Sequence, residues 1–211
     1  NVGGDVDPVE DAVVAGVHDR GELLRVGDAH QAREKAISIS RGTIRLAANA
    51  IRAIHRGELA DARLLIGETK NLVEQTRQLL SNHADIYYTG FVQDAQKEYA
   101  EAQATLAFIA DTPLPSPDDL HVEMASYLNG VGEAVGELRR YLLDSLRRDD
   151  VSRCEEIMEK MDEVHNVLVT LDFPEALTGG LRRTNDMVRG VLERTRGDLT
   201  MAIRQQRLEQ R

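Results

Sequence analysis

The chain has 211 residues, of which 42% are hydrophobic and 29% charged, a length that suits one substantial core rather than two full domains. Aromatic residues make up only 4% and Trp is absent, which disfavours a sheet protein and predicts an all-α fold. The net charge of −10 argues against a protein whose overall field attracts polyanions, so any nucleic-acid site must be local.

The first elements along the chain are an N-terminal segment and two helices. Residues 1–28 form a glycine-containing segment in which a short helix is predicted near 8–18. Residues 29–211 are predicted to form one helical domain. Its first helix runs from Ala29 to about His55 and is stopped by Gly57, which occupies the position after a helix end that glycine favours. A second helix is predicted at about 58–83.

The next two predicted helices have the clearest periodicity. The segment 85–110 repeats apolar or small residues at alternating spacings of four and three: Tyr88, Val92, Ala95, Tyr99, Ala102, Leu106 and Ile109. After a proline-rich stretch, Ser116 is predicted to cap a helix over 117–148 that begins with Pro117. Because the connection is short, we expect this helix to pack antiparallel to its predecessor.

Two further helices are predicted at about 150–171 and 178–208. Together the predicted elements form an antiparallel bundle of six or seven helices, about seven in all. The single cysteine, Cys154, excludes an intramolecular disulfide and is typical of a reducing compartment. No apolar run approaches the roughly 20 residues needed to span a bilayer, and no basic-then-apolar leader is visible. We therefore expect a cytoplasmic protein that does not insert into membranes.

Two pairs of glutamates are candidates for a metal site. Glu98 and Glu101 lie three apart on the helix over 85–110, so both carboxylates can reach one point. Glu133 and Glu137 lie four apart on the next helix and also share a face. Four carboxylates brought together raise one another's pKa unless a cation neutralises them, and Mg²⁺ or Mn²⁺ prefers such oxygen ligands.

Three glycines surround the second pair: Gly130, Gly132 and Gly136. Each costs about 1 kcal/mol in a helix interior, which indicates either a close helix contact or space for a ligand. The alternative is that all four glutamates form a solvated face. A di-iron site built from Asp118 and His121 or from Asp162 and His165 is less favoured, because His121 lies roughly 18 Å from Glu133 along the helix.

Four arginines form a basic stripe roughly 22 Å long on the first predicted helix: Arg41, Arg45, Arg52 and Arg56. A second basic region covers 181–211. Arginine suits bidentate contacts with phosphate, so the stripe indicates a surface for single-stranded nucleic acid with little base specificity. The alternative is that acids on adjacent helices neutralise these arginines.

In order and spacing, four segments together resemble the translin family, and more closely the archaeal form of its translin-associated factor X (TRAX) branch. They are "REKAISISRGTIRLAANAIRAIHRGE", "QKEYAEA", "YLNGVGEAVGELRRYLLDSL" and "DFPEALTGGLRRTNDMVRGVLERTRGDL". The resemblance covers about residues 30–208. It implies a seven-helix bundle that assembles into a closed, hollow homo-octamer.

The resemblance also implies a function. TRAX-type subunits are metal-dependent endoribonucleases that cut single-stranded RNA inside the shell, whereas translin-type subunits bind RNA or DNA without the acidic site. The "QEYVEA"-like motif falls on Glu98 and Glu101, and a "DLTGEL"-like motif falls on Glu133 and Glu137, with Glu133 in place of the family's Asp. The expected activity is thus a Mg²⁺- or Mn²⁺-dependent ribonuclease, and the alternatives are a non-catalytic binder and a purely structural scaffold.

Overall fold

In the computed structural model, residues 20–209 are described, and every regular element among them is helical. The elements are α1 (Arg20–His55), α2 (Leu59–Leu79), α3 (Ala84–Tyr87), α4 (Gly90–Ile109), α5 (Pro117–Leu120), α6 (Met124–Leu146), α7 (Cys154–Leu168), α8 (Glu175–Thr178) and α9 (Leu181–Glu209). The all-α prediction is confirmed. The helix predicted near 8–18 lies outside the described residues, and α1 extends to Arg20 instead of starting at Ala29.

Two helix ends form as their local residues predict. Gly57 has a φ of 78°, its N–H donates to the Ile54 carbonyl, and the Glu58 N–H donates to the Ala53 carbonyl, which closes the last turn of α1. Ser116 caps α5 through a reciprocal pair of hydrogen bonds with Asp119. Both boundaries depend on neighbouring residues alone, which is why they are readable from the sequence.

The single helix predicted over 117–148 is wrong, since the chain breaks after one turn. His121 adopts a left-handed φ of 55°, and α6 begins only at Met124. The break is stabilised by tertiary contacts: Leu120 and Val122 are buried in the core, and the Glu123 N–H donates to the Gln96 side chain at 2.8 Å. Helix propensity cannot compete with these contacts.

The antiparallel arrangement predicted for this helix pair is also wrong, because α4 and α6 run parallel. Ser126 Oγ donates to the Gln93 carbonyl near the start of both helices, and Gly130 lies against the Lys97 carbonyl one turn farther on. The connection between them, residues 110–123, has no regular structure apart from the single turn of α5. It is therefore long enough to return along the roughly 30 Å of α4 before α6 begins.

The remaining long helices form two hairpins on either side of this parallel pair. Gly42 of α1 faces Leu72 of α2, and Arg196 of α9 contacts Asp162 of α7, so both hairpins are antiparallel. The predicted seam of α4 is buried from Val92 to Ile109, but Tyr88 precedes the helix and is 64% exposed. Within 20–209, no helix combines the length and hydropathy that a membrane span requires.

Candidate metal centre

The close approach of α6 to α4 depends on one glycine. A Cβ at Gly130 would lie 2.5 Å from the Lys97 carbonyl oxygen and 2.9 Å from the Glu101 backbone nitrogen, closer than real Cβ atoms come. Gly132 plays the same part towards α9, where a Cβ would overlap Thr184 Cγ2. Gly136, in contrast, faces open space within 4 Å. Two of the three glycines flanking the glutamates thus mark close helix contacts.

This approach brings three of the four predicted glutamates together. Glu98, Glu101 and Glu133 are each partly buried, and each offers an oxygen within 4.8 Å of the oxygens of the other two. An octahedral Mg²⁺ with bonds of about 2.1 Å holds its oxygens about 3 Å apart in cis and about 4.2 Å apart in trans. Small side-chain rotations would therefore let the three carboxylates bind one ion, so the residues present fit the metal that the resemblance implies.

The carboxylates of α4 are poorly neutralised. Burial, reinforced by the nearby charges of Glu98, Glu133 and Glu137, raises the pKa of Glu101 to about 8. Burial also raises the pKa of Glu98, although Lys97 opposes this effect. Without a metal, Glu101 is thus mostly protonated at neutral pH, and a divalent ion would replace that proton.

Glu137 lies beside the cluster in a different environment. Its Oε2 accepts a hydrogen bond from His55 Nε2 at 2.5 Å, and the His55 side chain is only 5% exposed. This bond lowers the pKa of Glu137 despite its burial, and Arg140 adds to the effect. His55 Nδ1 has no hydrogen-bond partner among the described residues, which favours the tautomer with its proton on Nε2. Glu137 is therefore a fixed anion held by α1.

Lys97 supplies a cation at the other edge of the cluster. Its Nζ donates to Glu133 Oε1 at 2.9 Å and lies 3.8 Å from Glu98 Oε1. Sequence reasoning missed both basic partners of the glutamates. Lys97 could have been noticed, since it precedes Glu98 directly, but nothing in the sequence connects His55 to Glu137, which lies 82 residues away.

The basic stripe is exposed, with Arg41, Arg45 and Arg52 on α1 and Arg56 directly after its end. Its members differ in their partners. Arg56 is paired with Glu58, and Arg52 donates to Asn49. Arg41 and Arg45 make no ion pair with any residue between 20 and 209 that the structure describes. Among the four arginines, Arg56 alone is thus neutralised by an acidic residue within that range. In the second basic region, Arg196 is paired with Asp162 on α7.

The residues considered for a di-iron site are dispersed. His121 Nδ1 contacts Glu74 on α2 at 3.3 Å, and Asp162 is paired with Arg196. In the described part of the chain, the glutamate cluster is the one group of three or more suitable side chains.

A groove opens beside the cluster. It consists of two adjoining cavities of about 580 and 480 Å³. Both are lined by Asp94, Lys97, Asn129 and Gly179, and the smaller one also by Glu133. The groove therefore gives a large substrate access to Glu133 and Lys97, at one edge of the cluster.

Comparison of the sequence with known proteins identifies a relative of this chain. No family model matches the chain. It is 27% identical over 179 residues to an uncharacterised protein of Methanocaldococcus jannaschii, covering 84% of this chain and 79% of that protein.

Solved structures of C3PO proteins are similar to most of this chain. AfC3PO, both alone and in a complex with duplex RNA, matches with a TM-score of 0.80 and 31% identity over 85% of this chain; the match covers 94% and 93% of those chains, respectively. Apo-NeC3PO has a TM-score of 0.77 over 94% of this chain and all of its own, but with 19% identity it supports the fold alone.

Proposed function

The chain belongs to the C3PO/translin family, and on that basis we propose that it binds RNA and hydrolyses it at a divalent metal ion held by its clustered glutamates. Within the family we assign it to the TRAX-like branch. The activity is that of a Mg²⁺- or Mn²⁺-dependent endoribonuclease.

One observation carries this proposal: three partly buried carboxylates meet with too little positive charge to balance them. A merely solvated glutamate would keep its ordinary pKa, whereas that of Glu101 is raised to about 8. Such strain persists at functional sites, where a ligand relieves it. A hard divalent cation is the ligand whose charge and oxygen preference match the cluster.

The roles of the chain's own residues follow from their positions. The ion would be bound by Glu98, Glu101 and Glu133. At the edge of this cluster, His55 orients Glu137. The ion, when bound, lowers the pKa of a water molecule and stabilises charge on the phosphate. In the hydrolysis, the water oxygen forms a bond to phosphorus and gives up one proton, and the bond from phosphorus to the leaving nucleoside oxygen breaks. That oxygen takes up a proton, so that one water is added across the broken bond.

The arginine stripe would guide RNA towards the centre. Arg41, Arg45 and Arg52 offer exposed guanidinium groups along one helix, which suits phosphate contacts without base reading. We propose single-stranded RNA as the substrate. Because AfC3PO is known in complex with duplex RNA, duplexes belong in the same test.

The proposed assembly is a closed homo-oligomer, an octamer by the family resemblance. Exposed apolar side chains around the end of α7 and α8 suit contacts between subunits: Val167, Val169, Phe173 and Leu177. Measurement of the mass in solution by light scattering tests this, and a monomer would contradict the shell.

The deciding experiment incubates labelled single-stranded and duplex RNA with Mg²⁺ or Mn²⁺. Glu101→Gln preserves shape and resembles the protonated form, so it should fold normally yet lower cleavage at least about a hundredfold. Glu159→Gln, an exposed change on α7, is the matched control and should cleave as the wild type does. Cleavage that is absent, or equal in Glu101→Gln, would defeat the enzymatic proposal.

The alternative is a non-catalytic protein that binds single-stranded RNA or DNA, as translin-type subunits do. It is favoured by the RNA complex of AfC3PO and by Glu133 in place of the family's Asp. Binding without cleavage would support it. An Arg45→Ala/Arg52→Ala double variant should weaken RNA binding and reduce its salt dependence by about two phosphate contacts. Unchanged binding would show that the arginine stripe does not contact RNA, and a wild type that binds no RNA would favour a structural scaffold.

A further inference from the structure

A lysine lies inside the candidate metal centre. Lys97 Nζ is 2.9 Å from Glu133 and 3.8 Å from Glu98, and its side chain is 24% exposed. Glu101, the third member of the cluster, has no ion pair within the described range. The ammonium group therefore sits at one edge of the three carboxylates and leaves the side of Glu101 free for a metal ion.

The charges of the cluster suit one divalent ion together with this lysine. Three ionised carboxylates carry three negative charges, and one divalent ion with one ammonium group carries three positive charges. A second divalent ion would leave a net charge of plus two in a partly buried site, which is unfavourable without further anions. Glu137 does not supply that anion freely, since it already accepts a hydrogen bond from His55 and lies 3.8 Å from Arg140 Nη1.

The position of Lys97 also connects the cluster with the groove. Lys97 lines both cavities, whereas among the clustered carboxylates only Glu133 lines one of them. A phosphate that enters along the groove and contacts an ion at the carboxylates therefore passes within reach of the ammonium group. Ammonium is a compact donor that binds phosphate oxygens as a point charge.

We propose that Lys97 acts as the second cation of the centre: one divalent ion is bound by Glu98, Glu101 and Glu133, and Lys97 donates to a non-bridging oxygen of the same phosphate. Lys97 forms no covalent bond and stabilises the charge that develops on the phosphate as water attacks. The inference rests on the proposed function, but it makes a separate statement about the number of ions and about the residue that replaces the second one.

The test measures metal binding and cleavage separately in the full-length protein. Mn²⁺ is titrated without RNA, by calorimetry and electron paramagnetic resonance, into the wild type, Lys97→Gln, Lys97→Arg and the exposed control Lys70→Gln. We expect one Mn²⁺ per chain in the wild type. Lys97→Gln should bind Mn²⁺ at least about tenfold more tightly, because a positive charge near the ion is removed.

Single-turnover cleavage at saturating Mn²⁺ completes the test. Lys97→Gln should cleave about a hundredfold more slowly despite its tighter metal binding, Lys97→Arg should recover part of the rate, and Lys70→Gln should match the wild type. A lysine with a merely structural role would weaken metal binding and cleavage together.

The outcomes separate the two proposals. Two ions per wild-type chain, or wild-type cleavage by Lys97→Gln, would overturn the role of Lys97 while leaving a metal-dependent ribonuclease intact. If the wild type binds Mn²⁺ but cleaves no RNA, hydrolysis fails; tighter Mn²⁺ binding by Lys97→Gln then still supports Lys97 as the counter-cation, and unchanged or weaker binding overturns it. A wild type that binds no Mn²⁺ overturns both.

Discussion

The two helices that build the candidate centre hold their glutamates in opposite electrostatic states. On α4, burial and the charges of neighbouring carboxylates raise the pKa values of Glu98 and Glu101. On α6, Glu133 is paired with Lys97, and Glu137 with His55, whose hydrogen bond lowers the pKa of that carboxyl. Helix α4 thus presents carboxylates that need a cation, whereas α6 presents carboxylates already fixed in place by basic partners.

The largest expected effect comes from separating these helices. Gly130→Ala places a methyl group 2.5 Å from the Lys97 carbonyl oxygen, so α6 must move away from α4. We expect a loss of about 1–3 kcal/mol in the free energy of unfolding, measured with urea, and Mn²⁺ binding weakened at least tenfold. The matched control is Gly136→Ala, which faces open space and should gain up to about 1 kcal/mol. Equal effects of the two changes would refute the close contact as the organiser of the site.

A second prediction concerns a variant in which a glutamate of α6 loses its basic partner, as the glutamates of α4 largely lack one. His55→Asn should leave Glu137 without its donor, raise the pKa of that carboxyl, and weaken Mn²⁺ binding about tenfold, the usual cost of losing such a supporting hydrogen bond. The control is His121→Asn, another histidine that contacts a glutamate, but at an exposed position where Asn tolerates the left-handed backbone. Mn²⁺ affinity equal in the two variants would show that the His55 bond does not support the site.

The third prediction concerns the dependence of stability on pH, which has opposite signs for Glu101 on α4 and Glu137 on α6. The folded pKa of Glu101 lies above its unfolded value, so the metal-free protein binds an extra proton and loses stability as pH rises from about 4.5 to about 8. The slope from this group is at most about 1.4 kcal/mol per pH unit. Glu137, with a lowered folded pKa, contributes stability above its unfolded pKa that is lost as pH falls.

Urea unfolding between pH 4 and 9 would measure these slopes. Glu101→Gln should flatten the decline above pH 4.5, and Glu137→Gln should reduce the loss of stability on the acid side. Saturating Mn²⁺ should reverse the decline in the wild type, because the ion replaces the proton on Glu101. A wild type whose stability is constant from pH 5 to 8 without metal would show that the α4 carboxylates are not strained.

The part of the site on α4 was more predictable from the sequence than the part on α6. Helix geometry alone places Glu98 and Glu101 on one face, so the contribution of α4 to the centre could be predicted. Glu133 joins them as predicted, although for a different reason: the helices are parallel, not antiparallel. The prediction failed because it began the second helix at 117 and so left only a short connection, whereas α6 begins at Met124 and residues 110–123 lead the chain back along α4.

Four features follow from the amino-acid sequence alone, because each depends on residues within a few positions of one another: the helical class, the cap at Ser116, the stop at Gly57 and the spacing of the acidic pairs. Three others emerge only in the folded chain: the break at His121, the parallel pairing of α4 with α6, and the partners of the glutamates. Those features depend on burial and on contacts between residues far apart in the chain, such as His55 with Glu137, and neither periodicity nor spacing records which distant side chains meet.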